Sequence, residues 1–110
     1  MGGLDKILVP FDFSEASLNA LEYVANFVGT ERSVEILALY VSTMQIEEVD
    51  EQKLDRDFEK VLESLSVRLK KVPKFKTLTG NVTRTILSTQ QSSGADLIMM
   101  GTMGDKVTDE

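Results

Sequence analysis

Asp12 and the glycine pair Gly101 and Gly104 are the residues whose type and spacing suit ligand chemistry. Each follows an apolar run. Ile7-Leu8-Val9-Pro10-Phe11 leads into Asp12, and Leu97-Ile98-Met99-Met100 leads into Gly101-Thr102-Met103-Gly104. In an open α/β sheet, ligands gather in loops at the carboxyl ends of strands. A carboxylate there can accept two hydroxyl donors, which suits a diol. Glycines without a Cβ let a phosphate approach the backbone and take its amide N–H groups. Each motif also has a plainer reading. Gly-x-x-Gly turns a chain after a strand, and an aspartate in a strand-to-helix loop bonds nearby amides. Their occurrence on two strand-end loops favours a nucleotide cleft.

Composition narrows the chemistry. The 110 residues suit one domain, 42% hydrophobic and 27% charged, as in an ordinary globular protein. Without Cys there are no disulfides or thiolate sites, and without His neither zinc nor Ser-His catalysis is built in its usual form. Ser14 has no activating base nearby in sequence and reads as a helix cap. Twelve basic against eighteen acidic residues give a formal charge of -6, with no basic footprint for nucleic acid. No apolar stretch approaches the roughly 18 residues of a membrane span, and no signal segment opens the chain, so the expected location is cytoplasmic. No general base or metal cluster is visible. The expectation is at most slow hydrolysis of a bound nucleotide, with Mg²⁺ arriving on it.

These residues need strands and helices to hold them. A first strand is expected over 6–11, with Pro10 at its end because proline cannot donate to a ladder. Ser14 is placed to cap a helix over 15–28, accepting from the amide of Ser17. In that helix the polar residues Glu15, Asn19, Glu22 and Asn26 form one narrow stripe, so only that edge should be wet, with Tyr23 and Phe27 in the core or at its margin. Gly29 supplies a left-handed terminus. Residues 34–41 read as a second strand covered on both faces. A long helix is expected over 50–71, acidic at its start and basic at its end through Arg68, Lys70 and Lys71, stopped by Pro73. A third strand over 75–79 carries edge lysines. Asn81 caps a third helix over 82–93, with Val82, Ile86 and Leu87 as its apolar face, and Gly94 closes it. Residues 95–101 read as a central strand, with Met99 and Met100 as core filler. The alternation implies parallel strands with right-handed helical crossovers.

The motifs in this order resemble the universal stress protein family over nearly the whole chain. The likeness rests on Ile7–Ser14 running into an alanine-rich helix, on Leu37–Val41, on Gly80, and on Gly94–Gly104. It implies a Rossmann-like, doubly wound parallel sheet of order 3-2-1-4, with a fifth strand absent from this chain, and homodimers. One family subgroup binds ATP and another does not. In the binding subgroup the last loop carries Gly, two residues, Gly, nine residues, then Gly-Ser or Gly-Thr. Gly101 and Gly104 match its first half; the second half would fall past Glu110. The resemblance places Pro10, Phe11 and Asp12 beside the nucleoside, with Asp12 on the ribose hydroxyls. It places Val41 and Met100 on the adenine side. Met103 and Asp105 stand where the family more often has His or Arg. Without a fifth strand, the last strand should expose an apolar edge that invites a partner chain, unless the chain is a fragment.

Other classes fit less well. A receiver domain wants an acidic pair after the first strand and an aspartate after the third, where this chain has Phe11-Asp12-Phe13 and Leu78-Thr79-Gly80. A synthetase-type ATP pyrophosphatase wants a Ser-Gly-Gly loop, unlike Pro10–Ser14. The standing alternative is a stress protein that binds no nucleotide and acts by dimerisation.

Overall fold

The computed structural model describes residues 4–101. Four parallel strands, β1 (Lys6–Pro10), β2 (Glu35–Ser42), β3 (Lys74–Thr79) and β4 (Leu97–Ile98), lie in the order β3-β2-β1-β4. Helices α1 (Glu15–Val28), α2 (Glu48–Ser64) and α3 (Val82–Ser93) connect them. The architecture is the doubly wound α/β sheet expected from the alternation. Lysines 74 and 76 lie on the edge strand β3, as anticipated.

Alternation along the strands divides the core in two. One side chain set, Ile7, Val9, Phe11, Ile36 and Ala38, packs with Leu21, Val24, Val28 and Phe58 of α1 and α2. The other, Leu8, Leu37 and Leu39, packs with Ile86 of α3 and with Ala95. Helices on opposite faces mean that the winding direction changes between β1 and β4. That junction is the topological switch point, where doubly wound sheets open a crevice.

Three expectations need correction. The second helix ends at Ser64, with Leu65 in extended conformation (φ -66°, ψ 140°), and has no basic residue in its last turn. Residues 65–70, Leu-Ser-Val-Arg-Leu-Lys, alternate half-buried and exposed with a period of two. That is the period of extended chain, not of helix. Arg68, Lys70 and Lys71 therefore lie outside α2, and buried Pro73 leads into β3 rather than stopping a helix. The acidic first turn of Glu48, Asp50 and Glu51 is present.

The last strand is two residues long rather than seven. Among the described residues it pairs only with β1, through Ile7↔Leu97 and Leu8↔Ile98, extended by Asp96 N–H to Lys6 O and Met99 N–H to Leu8 O. No fifth strand occurs among the described residues. Met100, 52% exposed, is not core filler, whereas Met99 does pack on the core.

Finally, α1 is wetter than its composition suggested: Tyr23 is 61% and Phe27 49% exposed. Smaller differences lie at element ends. Gly29 closes α1 with positive φ but extended ψ (75°, -172°), whereas Gly94 is left-handed (75°, 23°).

Candidate functional site

The turn from β1 into α1 is built around an uncommon backbone. Phe13 adopts φ 66°, a left-handed conformation that bulky residues rarely take. Its ring is held edge-on to Phe11 at 4.8 Å and packs near Tyr40 at 6.0 Å and Phe75 at 5.9 Å. Phe58 completes this aromatic cluster, 5.4 Å from Phe11 and stacked on Phe75 at 4.7 Å. The cluster offsets the backbone strain and anchors the loop from below. Its effect is to hang Asp12 over the start of α1.

Asp12 bonds locally. Its Oδ1 accepts from the Ser14 amide at 3.0 Å and from the Ser17 hydroxyl at 2.9 Å. Ser17 is buried and joins the loop together: its Oγ also accepts from the Asp12 amide at 3.3 Å. The Ser14 hydroxyl caps α1 by accepting from the Ser17 amide at 3.2 Å, the bond expected from the sequence. The Asp12 carboxyl is held below its ordinary value of 3.8, chiefly by the Ser14 hydroxyl. Partial burial opposes the shift, and the Ser14 amide and Ser17 hydroxyl add to it. Asp12 is thus an exposed anion whose Oδ2 has no hydrogen-bond partner among the described residues.

Beside it lies a cavity of about 250 Å³ lined by the ends of β1, β2 and the β4 segment, the first turns of α1, and α3. Pro10, Phe11, Asp12, Val41, Met100 and Gly101, named from the sequence, all line it. Gly104 lies outside the described residues. The cavity sits at the switch point between β1 and β4. Leu39, Val82, Ile86, Ala16 and Ser17 also line it and were not anticipated as site residues. For Val82 and Ile86 a signal existed in their four-residue spacing on α3, but the sequence offered them only as core. Ile86 is buried, and Val82 is 44% exposed at the cavity. For Ser17 the signal was the Ser14-x-x-Ser17 spacing.

Gly101 has a structural duty. A Cβ there would overlap the Ala16 carbonyl oxygen, so the chain passes against the first turn of α1 only as glycine. The missing side chain lets backbone meet backbone. Asp96, in the same terminal motif, is also structural: its Oδ2 accepts the amides of Asp5 at 2.8 Å and Lys6 at 3.0 Å, pinning the start of β1. Those two amides lower its carboxyl pKa. Among the described residues no group of three His, Cys, Asp or Glu could hold a metal ion, and no helix is long and apolar enough to cross a membrane.

The profile of the universal stress protein family matches residues 3–108. A search of curated proteins finds no match. Among solved structures, universal stress protein UspA from Lactobacillus plantarum superposes with a TM-score of 0.70 at 19% identity, covering 94% of this chain and 82% of its own. Protein Rv1636 from Mycobacterium tuberculosis H37Rv gives 0.65 at 14% identity, with coverages of 92% and 73%. A universal stress protein from Archaeoglobus fulgidus gives 0.60 at 25% identity, covering 91% of this chain and 33% of its own. The fold is shared with these structures, and the profile match shows that the chain belongs to the universal stress protein family.

Proposed function

We propose that this chain is a cytoplasmic stress-response module that binds an adenine nucleotide, ATP in the family's binding subgroup, in the cavity at the ends of β1, β2 and β4. The observation that carries this reading is the convergence of six residues from three separate segments on one cavity at the switch point. The residues present fit the nucleoside. Leu39, Val41, Val82, Ile86 and Met100 make an apolar slot for a base, and the open oxygen of Asp12 can accept a ribose hydroxyl. Mg²⁺, where needed, would arrive with the phosphates. Isothermal titration with Mg-ATP tests the reading. Wild type should release heat, and Asp12→Ala should weaken binding at least about tenfold, as loss of a bond to a charged group would. Absence of heat from wild type would leave the proposal without support.

A second reading, a regulatory module acting through self-association, is favoured by one specific feature. Beside the outer edge of β4 lies an apolar cavity of about 140 Å³ lined by Ile7, Tyr23, Val24, Phe27, Leu97 and Met99. The partner proposed there is a second copy of this chain.

A further inference from the structure

The chain's positive charge is gathered in one place. Five of its twelve Lys and Arg (Arg68, Lys70, Lys71, Lys74 and Lys76) fall in a stretch that holds no acid, leaving seven bases against eighteen acids elsewhere. All five side chains are exposed. The stretch runs into β3, an outer strand of the sheet, and among the described residues nothing pairs with its far edge. Gly80 N–H donates to Ser42 O. By strand alternation, the amides of Lys74, Lys76 and Leu78 therefore face β2, and those of Phe75, Thr77 and Thr79 face outward. Side chains alternate as well. Phe75 stacks on Phe58 of α2, whereas Lys74 and Lys76 stand on the opposite face, where Leu78 joins Leu39 and Ile86. Lys74 is 3.5 Å from Glu35, which also reaches Lys6 at 4.0 Å, and Lys76 has no ion pair among the described residues. Glu51 lies on the α2 side, accepting from the Thr77 hydroxyl at 2.7 Å. An apolar groove of about 480 Å³ leads into the same edge. Leu62, Leu65, Leu69, Val72 and Pro73 line it, Glu63 and Arg68 are its charged members, and Val72 is 70% exposed.

We propose that the outer edge of β3 takes up an extended acidic segment of another protein as an added strand. Acidic side chains at alternate positions stand opposite Lys74 and Lys76, apolar ones between them lie over Phe75 and Thr77, and an apolar flank sits in the groove. Main-chain bonds to the outward amides give such a strand its affinity, and the alternate side chains give its specificity. Edge lysines ordinarily keep like strands apart. They do so here against a second copy, since β3 against β3 would gather two lysines from each copy on one face. The same charges favour a strand of opposite sign, and keeping copies apart needs no apolar groove. A nucleic acid or an anionic surface would meet the cations but leave the groove and the outward amides unmatched. The nucleotide cavity, between β1 and β4, plays no part in this edge.

The test is fluorescence anisotropy on the whole protein with a labelled peptide that alternates Glu and Val over the six residues of β3 and carries leucines at its ends. The peptide should bind, more weakly as salt rises, and should slow hydrogen exchange at the amides of Phe75, Thr77 and Thr79 while β1 is unchanged. Two N-methylated forms, one blocking the odd and one the even backbone amides, should differ by at least about tenfold, because only one keeps the donors that face β3 free. Lys74→Glu combined with Lys76→Glu should weaken the acidic peptide at least about tenfold and confer binding of its Lys-Val counterpart. Both sites are exposed, so the melting temperature should move by no more than a few degrees. Equal binding by the two methylated forms, or a single-stranded DNA of equal charge binding as tightly as the peptide, would overturn strand addition in favour of plain attraction of polyanions. Failure of the wild-type protein to bind the peptide would overturn it outright.

Discussion

At the scale of single residues, the loop around Asp12 couples stability to the candidate site. Its carboxylate is ionised while bonded to Ser14 and Ser17, and its folded pKa lies below 3.8. A group with a depressed folded pKa stabilises the fold above its unfolded value and loses that contribution as pH falls through the folded value. Asp12→Asn should therefore lower stability at pH 7, and the gap to wild type should close below about pH 3.8. Urea unfolding at a series of pH values measures this. A gap that persists at pH 2 would mean the loss is not electrostatic. Gly101 makes a sharper case. Gly101→Ala forces a methyl into the Ala16 carbonyl and should cost about 1–3 kcal/mol as an overpacking change. Gly94→Ala has open space around the new Cβ and pays only for its positive φ, about 1 kcal/mol. Thermal melts of the two variants should rank in that order. Equal melts would show that the approach of residue 101 to α1 is not required by the fold.

At the scale of elements, the segment between α2 and β3 is secured by a few polar bonds rather than by a helix. Glu22 on α1 accepts from the Ser66 amide at 3.2 Å and from the Ser66 hydroxyl. That hydroxyl is the main reason its carboxyl pKa lies below 4.5. The latch is exposed, so Glu22→Ala should change global stability by no more than about 0.5 kcal/mol. Locally it should raise amide hydrogen exchange over residues 65–73 while β1 and β2 stay protected. Unchanged exchange there would show that Leu65 and Leu69, which pack on the core, hold the segment alone. This is also where the sequence was least legible. Leu62, Leu65, Leu69 and Val72 satisfy a helical spacing and Leu65, Val67 and Leu69 a strand spacing, and tertiary packing decided between them. The strands were legible because continuous apolar runs have few other uses in a short α/β chain. Asp12 and Gly101 were legible from strand ends, whereas Pro10, Phe11, Val41 and Met100 came as site residues from the family resemblance. Ser17, Val82 and Leu39 did not, because the first is a buried hydroxyl in a helix and the others look like core until β1, β2 and α3 are placed together. The left-handed Phe13 had no signal at all, since its strain is offset by Phe75 and Tyr40, distant in sequence.

At the scale of the molecule, charge and apolar surface are distributed unevenly. The chain carries a formal charge of -6, so two copies repel at long range. Around the outer side of β4, however, Ile7, Tyr23, Val24, Phe27, Leu97 and Met99 line a cavity without a charged residue. Arg32 stands over one lining side chain, its guanidinium carbon 5.2 Å from the Phe27 ring centre. An apolar patch beside an unpaired strand edge is a pairing surface unless something covers it. If a second copy covers it, association must be opposed by charge and driven by apolar burial. It should then strengthen with salt, because screening removes the repulsion and leaves the burial untouched. Light scattering over a range of concentrations, at low and high salt, reads this directly. Leu97→Lys should abolish association at either salt, because a charge buried in the apolar contact goes unpaired and salt does not relieve its desolvation. Tyr23→Lys, on the exposed rim, should weaken it without altering the melting temperature by more than a few degrees. A protein that stays monomeric at high concentration and high salt would show that the patch does not pair copies of the chain.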